Sequence, residues 1–166
     1  MNLKKFYAGE VYDAYKYFGA HLENDGVVFR TYAPSAKKVT IIGEFNGWKE
    51  QPMEQLRKSG VWVGNSPYAR AGQMYKYCIY GQNGRVEHCD PYGFGMEMRP
   101  RSCSVIRDLS EYTFSDKKWM RKRNHCFDKP VNIYEMHLGS WKKKGWQWYE
   151  YDELTDELIL YLKKYG

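Results

Sequence analysis

No apolar run in this 166-residue sequence approaches the roughly 20 residues needed to cross a bilayer. The N-terminal MNLKKFYAGEVYDAYKYF lacks the unbroken apolar core of a signal peptide, so neither a membrane partner nor secretion is expected. Cysteine is scarce: Cys78, Cys89, Cys103 and Cys126 form no C-x-x-C pair, and His125 beside Cys126 has no further ligand at metal spacing. Zinc, other cofactors and redox-dithiol chemistry are therefore not indicated, and a reduced, cytoplasmic protein is the simplest expectation. Acid is in deficit, with 20 acidic against 26 basic residues and a net charge of +6. The excess lies in two runs, Lys117 to Arg123 and Lys142 to Lys144. Such runs suggest nucleic acid, but no nucleic-acid-binding motif encloses either, and none is expected as a partner. Internal repeats are absent.

What is abundant is aromatic. Hydrophobic residues make up 43% of the chain, which excludes disorder, and the 16 Tyr and 6 Trp offer flat apolar faces with polar handles that suit wet binding surfaces as well as cores.

Val11, Tyr12, Tyr15 and Phe18 fall at helical spacing and stop at Gly19, which predicts a short helix over 9–18 within an N-terminal segment, 1–19. From there the period changes to two. GVVFRTYAP, KKVTIIGEF, VWVGN, QMYKYCIYG and RVEHCD read as strands bounded by Gly, Pro and Asn-Gly turns, with Gln82-Asn83-Gly84 as a hairpin and SCSVIRD closing the set. The fold class is thus mainly β, an immunoglobulin-like sandwich over 20–108. A polar, basic connector fills 109–130. Beyond Pro130, VNIYEMHLGSW reads as a strand, KKKGWQWYEY as a loop, and DELTDELILYLKKYG as a helix with Asp152 as N-cap, a Leu154, Leu158, Leu162 and Tyr165 stripe, and Gly166 as its stop. One strand and one helix cannot cover both their faces, so 131–166 reads as the first βα unit of a second domain that has been cut.

Three passages carry a family resemblance: YKYFGAHLENDGVVFRTYAPSAKKVTIIGEFNGW (Tyr15 to Trp48), HCDPYGFGMEMRPRSCSVIRD (His88 to Asp108) and VNIYEMHLGSW (Val131 to Trp141). Together they resemble the α-1,4-glucan branching enzymes. The first is similar to the opening of the family-48 carbohydrate-binding module. The second carries a D-P-Y-x-F-x-x-E-x-R-P-x-x-x-S pattern particular to those enzymes, and the third resembles the first strand of their (β/α)8 barrel. The resemblance implies a fragment holding the module, a connector and the start of the catalytic barrel, whose missing remainder would be its partner in cis. The parent would cut an α-1,4 linkage and pass the chain to a 6-hydroxyl, making branches in glycogen. The carboxylates for that chemistry lie on later barrel strands, so no catalytic residue is expected here and the fragment is expected to be inactive. Glu135, Asp152, Glu153, Asp156 and Glu157 read as solvated or capping charges.

Alone, Trp48 reads either as a lid over the core or as a ring turned to solvent for a ligand. In family-48 modules an α-glucan lies on a Trp after an F-N-x-W turn, a Lys in a Y-K-[FY] strand and a second Trp, each stacked ring contributing about 1–2 kcal/mol. Trp48 and Lys76 match the first two. The second Trp would fall near Asn83, which cannot stack. Trp62, between Val61 and Val63, reads as core. His137 and Trp141, at the end of the first barrel strand, could line the parent's substrate groove or be satisfied structurally. Two other functions fit the same residues: a free-standing glycan-binding or scaffolding module, and the module of an isoamylase- or pullulanase-type debranching enzyme.

Overall fold

Alternation of buried and accessible side chains dictates the architecture. In the computed structural model, which describes residues 1–110, 112–123, 128 and 130–165, the chain divides into two units, Met1–Phe114 and Ser115–Gly166. The first unit contains α1 (Leu3–Tyr7) and the strands β1 (Gly19–Glu23), β2 (Gly26–Tyr32), β3 (Lys38–Gly43), β4 (Gln51–Pro52), β5 (Glu54–Gln55), β6 (Val61–Ser66), β7 (Met74–Gly81), β8 (Gly84–His88) and β9 (Ser104–Val105). The strands form two antiparallel sheets, ordered β1-β2-β6-β5 and β4-β3-β7-β8, with β9 beside β7.

Between the sheets, Val27 and Phe29 of β2 meet Val39 and Ile41 of β3 and Tyr75 and Tyr77 of β7, all of them 1% exposed or less. Each is two residues from the next on its strand, which sends them to one face of the pleat. Burying a side chain such as Phe29 is worth about 1.5–3 kcal/mol. Trp62 joins this core as its neighbours Val61 and Val63 imply, and its indole N–H donates to the Ala33 carbonyl at 3.0 Å. The β1–β2 hairpin closes on Asn24-Asp25, with Gly26 at φ +124°. The β7–β8 hairpin closes on the expected Gln82-Asn83, with Gly84 at φ +98°.

The N-terminal helix is displaced from its expected place. It occupies Leu3–Tyr7, whereas 9–18 holds only a single 3-10 turn at Ala14–Lys16. Gly9 at φ +72° ends α1, and Tyr12, counted as apolar in the helical pattern, is 93% exposed. Five residues cannot hold a helix by propensity, so packing must do it. The Phe6 ring lies 5.0 Å from Phe18 and 5.2 Å from Tyr32, and the Tyr7 hydroxyl donates to the Ser59 carbonyl at 2.6 Å.

The second unit contains α2 (Lys117–Lys122), α3 (Leu138–Trp141), the hairpin β10 (Lys143–Lys144) and β11 (Gln147–Trp148), and α4 (Tyr151–Tyr165). Helix α4 lies within a residue of its expected start, but Asp152 is inside its first turn and is not the cap. The carboxylate of Glu153 instead turns back to accept from the Glu150 N–H at 3.1 Å. The expected strand over Val131 to Trp141 is corrected: 131–137 forms no ladder with any described residue, and α3 follows it. A parallel barrel strand is held by neighbours reached through long crossovers, and none is supplied by the described residues. The stretch expected to loop forms the β10–β11 hairpin, turning at Gly145 with φ +61°. Lys142 and Lys144 reach α4 through Glu157 and Glu153 at 2.5 and 2.6 Å. His125, Cys126 and Gly166, named in the sequence expectations, lie outside the described residues.

Candidate functional site

The Glu44 to Trp48 turn explains its own residue types. As β3 ends, a 3-10 turn spans Glu44–Asn46. The Phe45 ring stacks on Phe29 at 5.3 Å and anchors the turn to the core. Asn46 pins it from the other side, its Oδ1 accepting from the Gly43 N–H at 2.9 Å and its Nδ2 donating to the Ile41 carbonyl at 3.2 Å. The Glu44 carboxylate accepts from the Met74 N–H at 2.8 Å and ties the turn to β7. Gly47 and Trp48 both adopt the left-handed conformation, φ 61° in each, and the Trp48 N–H closes on the Gly43 carbonyl at 2.8 Å.

Left-handed backbone is costly for a bulky side chain, typically about 1–2 kcal/mol. Such strain gathers where a side chain must be presented at one angle. The Trp48 ring is 43% exposed, so the turn does not bury it as a lid.

Register sets Lys76 close to this turn. Gly43, which holds the Trp48 N–H, pairs with Tyr75, and Ile42 pairs with Lys76. Since Tyr75 and Tyr77 face the core, Lys76 faces outward beside Cys78 and Tyr80. The structure therefore brings Trp48 and Lys76 to one end of the β3–β7 pair. Asn83 stands exposed at the tip of the β7–β8 hairpin, with no ring to offer.

On the same outer face runs a feature that the sequence reading missed. Glu50, two residues beyond Trp48, accepts from the Tyr80 hydroxyl at 2.7 Å and from Arg85 Nε at 2.8 Å. Arg85 also donates to Glu87 at 3.0 Å, and Glu87 pairs with Lys76 at 3.8 Å. Lys38 flanks Glu50 at 3.8 Å and lies 4.7 Å from the centre of the Tyr80 ring. Arg85 and Glu87 alternate on β8, so their common face was readable. Glu50 comes from a loop, where no period reports direction.

The hydroxyl of Tyr80, followed by the Arg85 guanidinium, holds the Glu50 carboxyl down at about 2 against its usual 4.5. A carboxyl depressed by folding stabilises the fold above its unfolded value and loses that contribution as pH falls toward the folded one. Glu50→Gln should therefore cost about 1 kcal/mol at pH 7, the upper end for an accessible ion pair. The gap to the native chain should close between pH 4.5 and 2, which urea unfolding at a series of pH values checks.

Behind the site, Asp90 of the D-P-Y passage is 4% exposed. It accepts from the hydroxyls of Tyr75 at 2.7 Å and Tyr77 at 3.0 Å and from the Tyr92 N–H at 2.8 Å. Burial pushes its carboxyl above the ordinary range despite these donors. Tyr92 stacks on Phe18 at 4.9 Å. The passage is a brace from β7 to β1.

His137 and Trp141 differ in their surroundings. Trp141 lines a cleft with Glu157, Leu160, Tyr161 and Lys164, and its indole N–H donates to the Tyr134 hydroxyl at 2.7 Å. His137 is exposed and contacts Ser140 Oγ through Nδ1 at 3.0 Å. The two share a helical turn through the Trp141 N–H and the His137 carbonyl, 2.9 Å apart, but the His137 side chain does not line that cleft.

Residues 17–93 match the model of carbohydrate-binding module 48, the isoamylase N-terminal domain. The chain is 39% identical to the 1,4-alpha-glucan branching enzyme of Fusobacterium nucleatum subsp. nucleatum over 95% of its own length and 26% of that protein. It is 38% identical to that of Francisella tularensis subsp. mediasiatica, over 97% of this chain and 27% of that one. It thus spans about a quarter of the length of the curated relatives it matches. Among solved structures, ligand-free PulA of Klebsiella pneumoniae superposes with a TM-score of 0.50 at 27% identity, covering 59% of this chain and 10% of that one. Pullulanase of Anoxybacillus sp. LM18-11, at 23% identity, a TM-score of 0.50, and 61% and 15% coverage, shares the fold. Residues 17–93 thus match a family-48 carbohydrate-binding module, and nearly the whole chain is similar to part of the 1,4-alpha-glucan branching enzymes.

Proposed function

We propose that this chain serves as the N-terminal, α-glucan-binding portion of a glycogen branching enzyme, holding substrate for a catalytic barrel carried in cis. The observation that supports it best is Trp48, an exposed tryptophan kept on left-handed backbone and closed onto Gly43, whose neighbour Ile42 pairs with Lys76. An aromatic face lies flat against a pyranose, and a lysine beside it donates to hydroxyls. On this reading the transfer that makes α-1,6 branches belongs to the remainder of the parent protein, and the carboxylates here are structural. His137 and Trp141 would belong to that protein's substrate groove. A reduced cytoplasmic setting fits the free thiols of Cys78, Cys89 and Cys103.

With a single ring, affinity is weak, and it should rest heavily on that ring. Titration of the 166-residue chain with maltoheptaose should give millimolar-range binding, at least tenfold weaker in Trp48→Ala. Equal affinity in the two proteins would remove the site, and no binding by either would remove the function.

A further inference from the structure

The charges on the outer face of β7 and β8 are placed where a ligand leaving Trp48 would pass. We propose that Lys76, Glu87, Arg85 and Glu50 form a hydroxyl-reading row that extends the Trp48 platform, its ligand a run of α-1,4-linked glucosyl units lying across β7 and β8. This rests on the α-glucan reading above and adds the residues that would replace the missing second ring.

Geometry makes the row continuous. Lys76 begins it at the Trp48 end, and Tyr80, whose hydroxyl holds Glu50, stands four residues further along the same face, about 13 Å at strand rise. On β8, Glu87 stands midway, opposite Cys78, and Arg85 stands at the far end, opposite Tyr80. Side-chain exposures of 38% for Arg85 and 39% for Glu87 leave both open to a ligand.

Charge balance selects the ligand class. The signs alternate along the row, and each cation already has a carboxylate: Lys76 with Glu87, and Arg85 with both Glu87 and Glu50. A phosphate-bearing ligand would have to break these pairs, whereas a neutral polyhydroxy chain need not. Capacity remains after pairing. Arg85 uses Nε and Nη2 for Glu50, Glu87 and Cys78, which leaves its Nη1 hydrogens free of the bonds described, and an ionised carboxylate accepts at more sites than one guanidinium fills. Because Arg85 and Glu50 each have two or more partners, little side-chain freedom is left to lose on binding.

The test is maltoheptaose titration of the 166-residue chain and five variants, Trp48→Ala among them, each melted first to show that it is folded. Glu87→Ala is the deciding variant, because it leaves the Glu50–Arg85–Tyr80 cluster in place; it should bind at least fivefold more weakly than the native chain. Arg85→Ala should lose as much or more, and Arg85→Lys, which keeps the charge without the fork, should fall between. Glu23→Gln, which alters an ion pair with Arg30 on the other sheet, should bind as the native chain does. Native affinity in Glu87→Ala and Arg85→Ala, alongside loss in Trp48→Ala, would overturn the row while sparing the Trp48 site. A native chain that binds no maltoheptaose would overturn both.

Discussion

Asp90→Ala is expected to lower the unfolding free energy of the module by about 4 kcal/mol, a large share of the roughly 5–15 kcal/mol of an ordinary domain. The carboxylate is the acceptor for two tyrosine hydroxyls in the core and for the Tyr92 N–H. Truncation leaves these donors buried without a partner, each costing about 1–3 kcal/mol, and opens a void beside them. Asp90→Asn keeps one acceptor oxygen and the shape, so a loss of about 1–2 kcal/mol is expected. The pH dependence separates the two effects. A carboxyl raised by burial stabilises the fold while protonated, below its unfolded value, and that contribution is lost as pH rises through the raised folded value. The Asn variant has no such slope. Urea unfolding of the three proteins across pH 4 to 8 reads both; equal stability of Asp90→Ala and the native chain would show that the brace is idle.

Gly26→Ala is expected to cost about 3 kcal/mol or more, through the β1–β2 hairpin. At φ +124° an alanine is already strained, and its Cβ would stand 2.2 Å from the Ser66 carbonyl oxygen and 2.6 Å from the Pro67 Cα. Both obstacles are backbone, so no rotamer relieves them. The hairpin must shift, carrying with it Val27 and Phe29, which open the core. A fall in melting temperature of more than about 10 °C is the expected reading. Gly84→Ala, on equally left-handed backbone but with open space around it, should cost clearly less.

The sandwich was legible because its core residues obey one period. Val27 with Phe29, Val39 with Ile41, and Tyr75 with Tyr77 each declare a strand and its inner face. Tyrosine defeated the same reasoning at the N-terminus: Tyr12 fits a helical stripe on paper and stands in solvent, while Phe6, outside the stripe, does the packing. The Val131 to Trp141 passage has a strand's composition, but composition does not supply the neighbour that a parallel strand requires. At the site, Trp48 and Lys76 were reached through resemblance, and their common end of the β3–β7 pair follows only from the register and the Trp48 bond to Gly43. The left-handed φ of Trp48 had no signal beyond the preceding Asn46-Gly47. Glu50 was the hardest case, since an acidic residue in a loop carries no sign of which strands it will reach.

Among the described residues, β8 is the last strand of its sheet. Its residues are exposed along the whole strand, and its outward backbone groups offer a template on which a strand from a second molecule could build. Val86 alone would invite that addition, being half exposed on this edge. Arg85 and Glu87, held in fixed pairs on either side of it, would have to be stripped of water before another strand could dock. The charges proposed to meet a glucan thus also guard an open sheet margin against self-association, and exchanging them for apolar residues would trade solubility along with recognition.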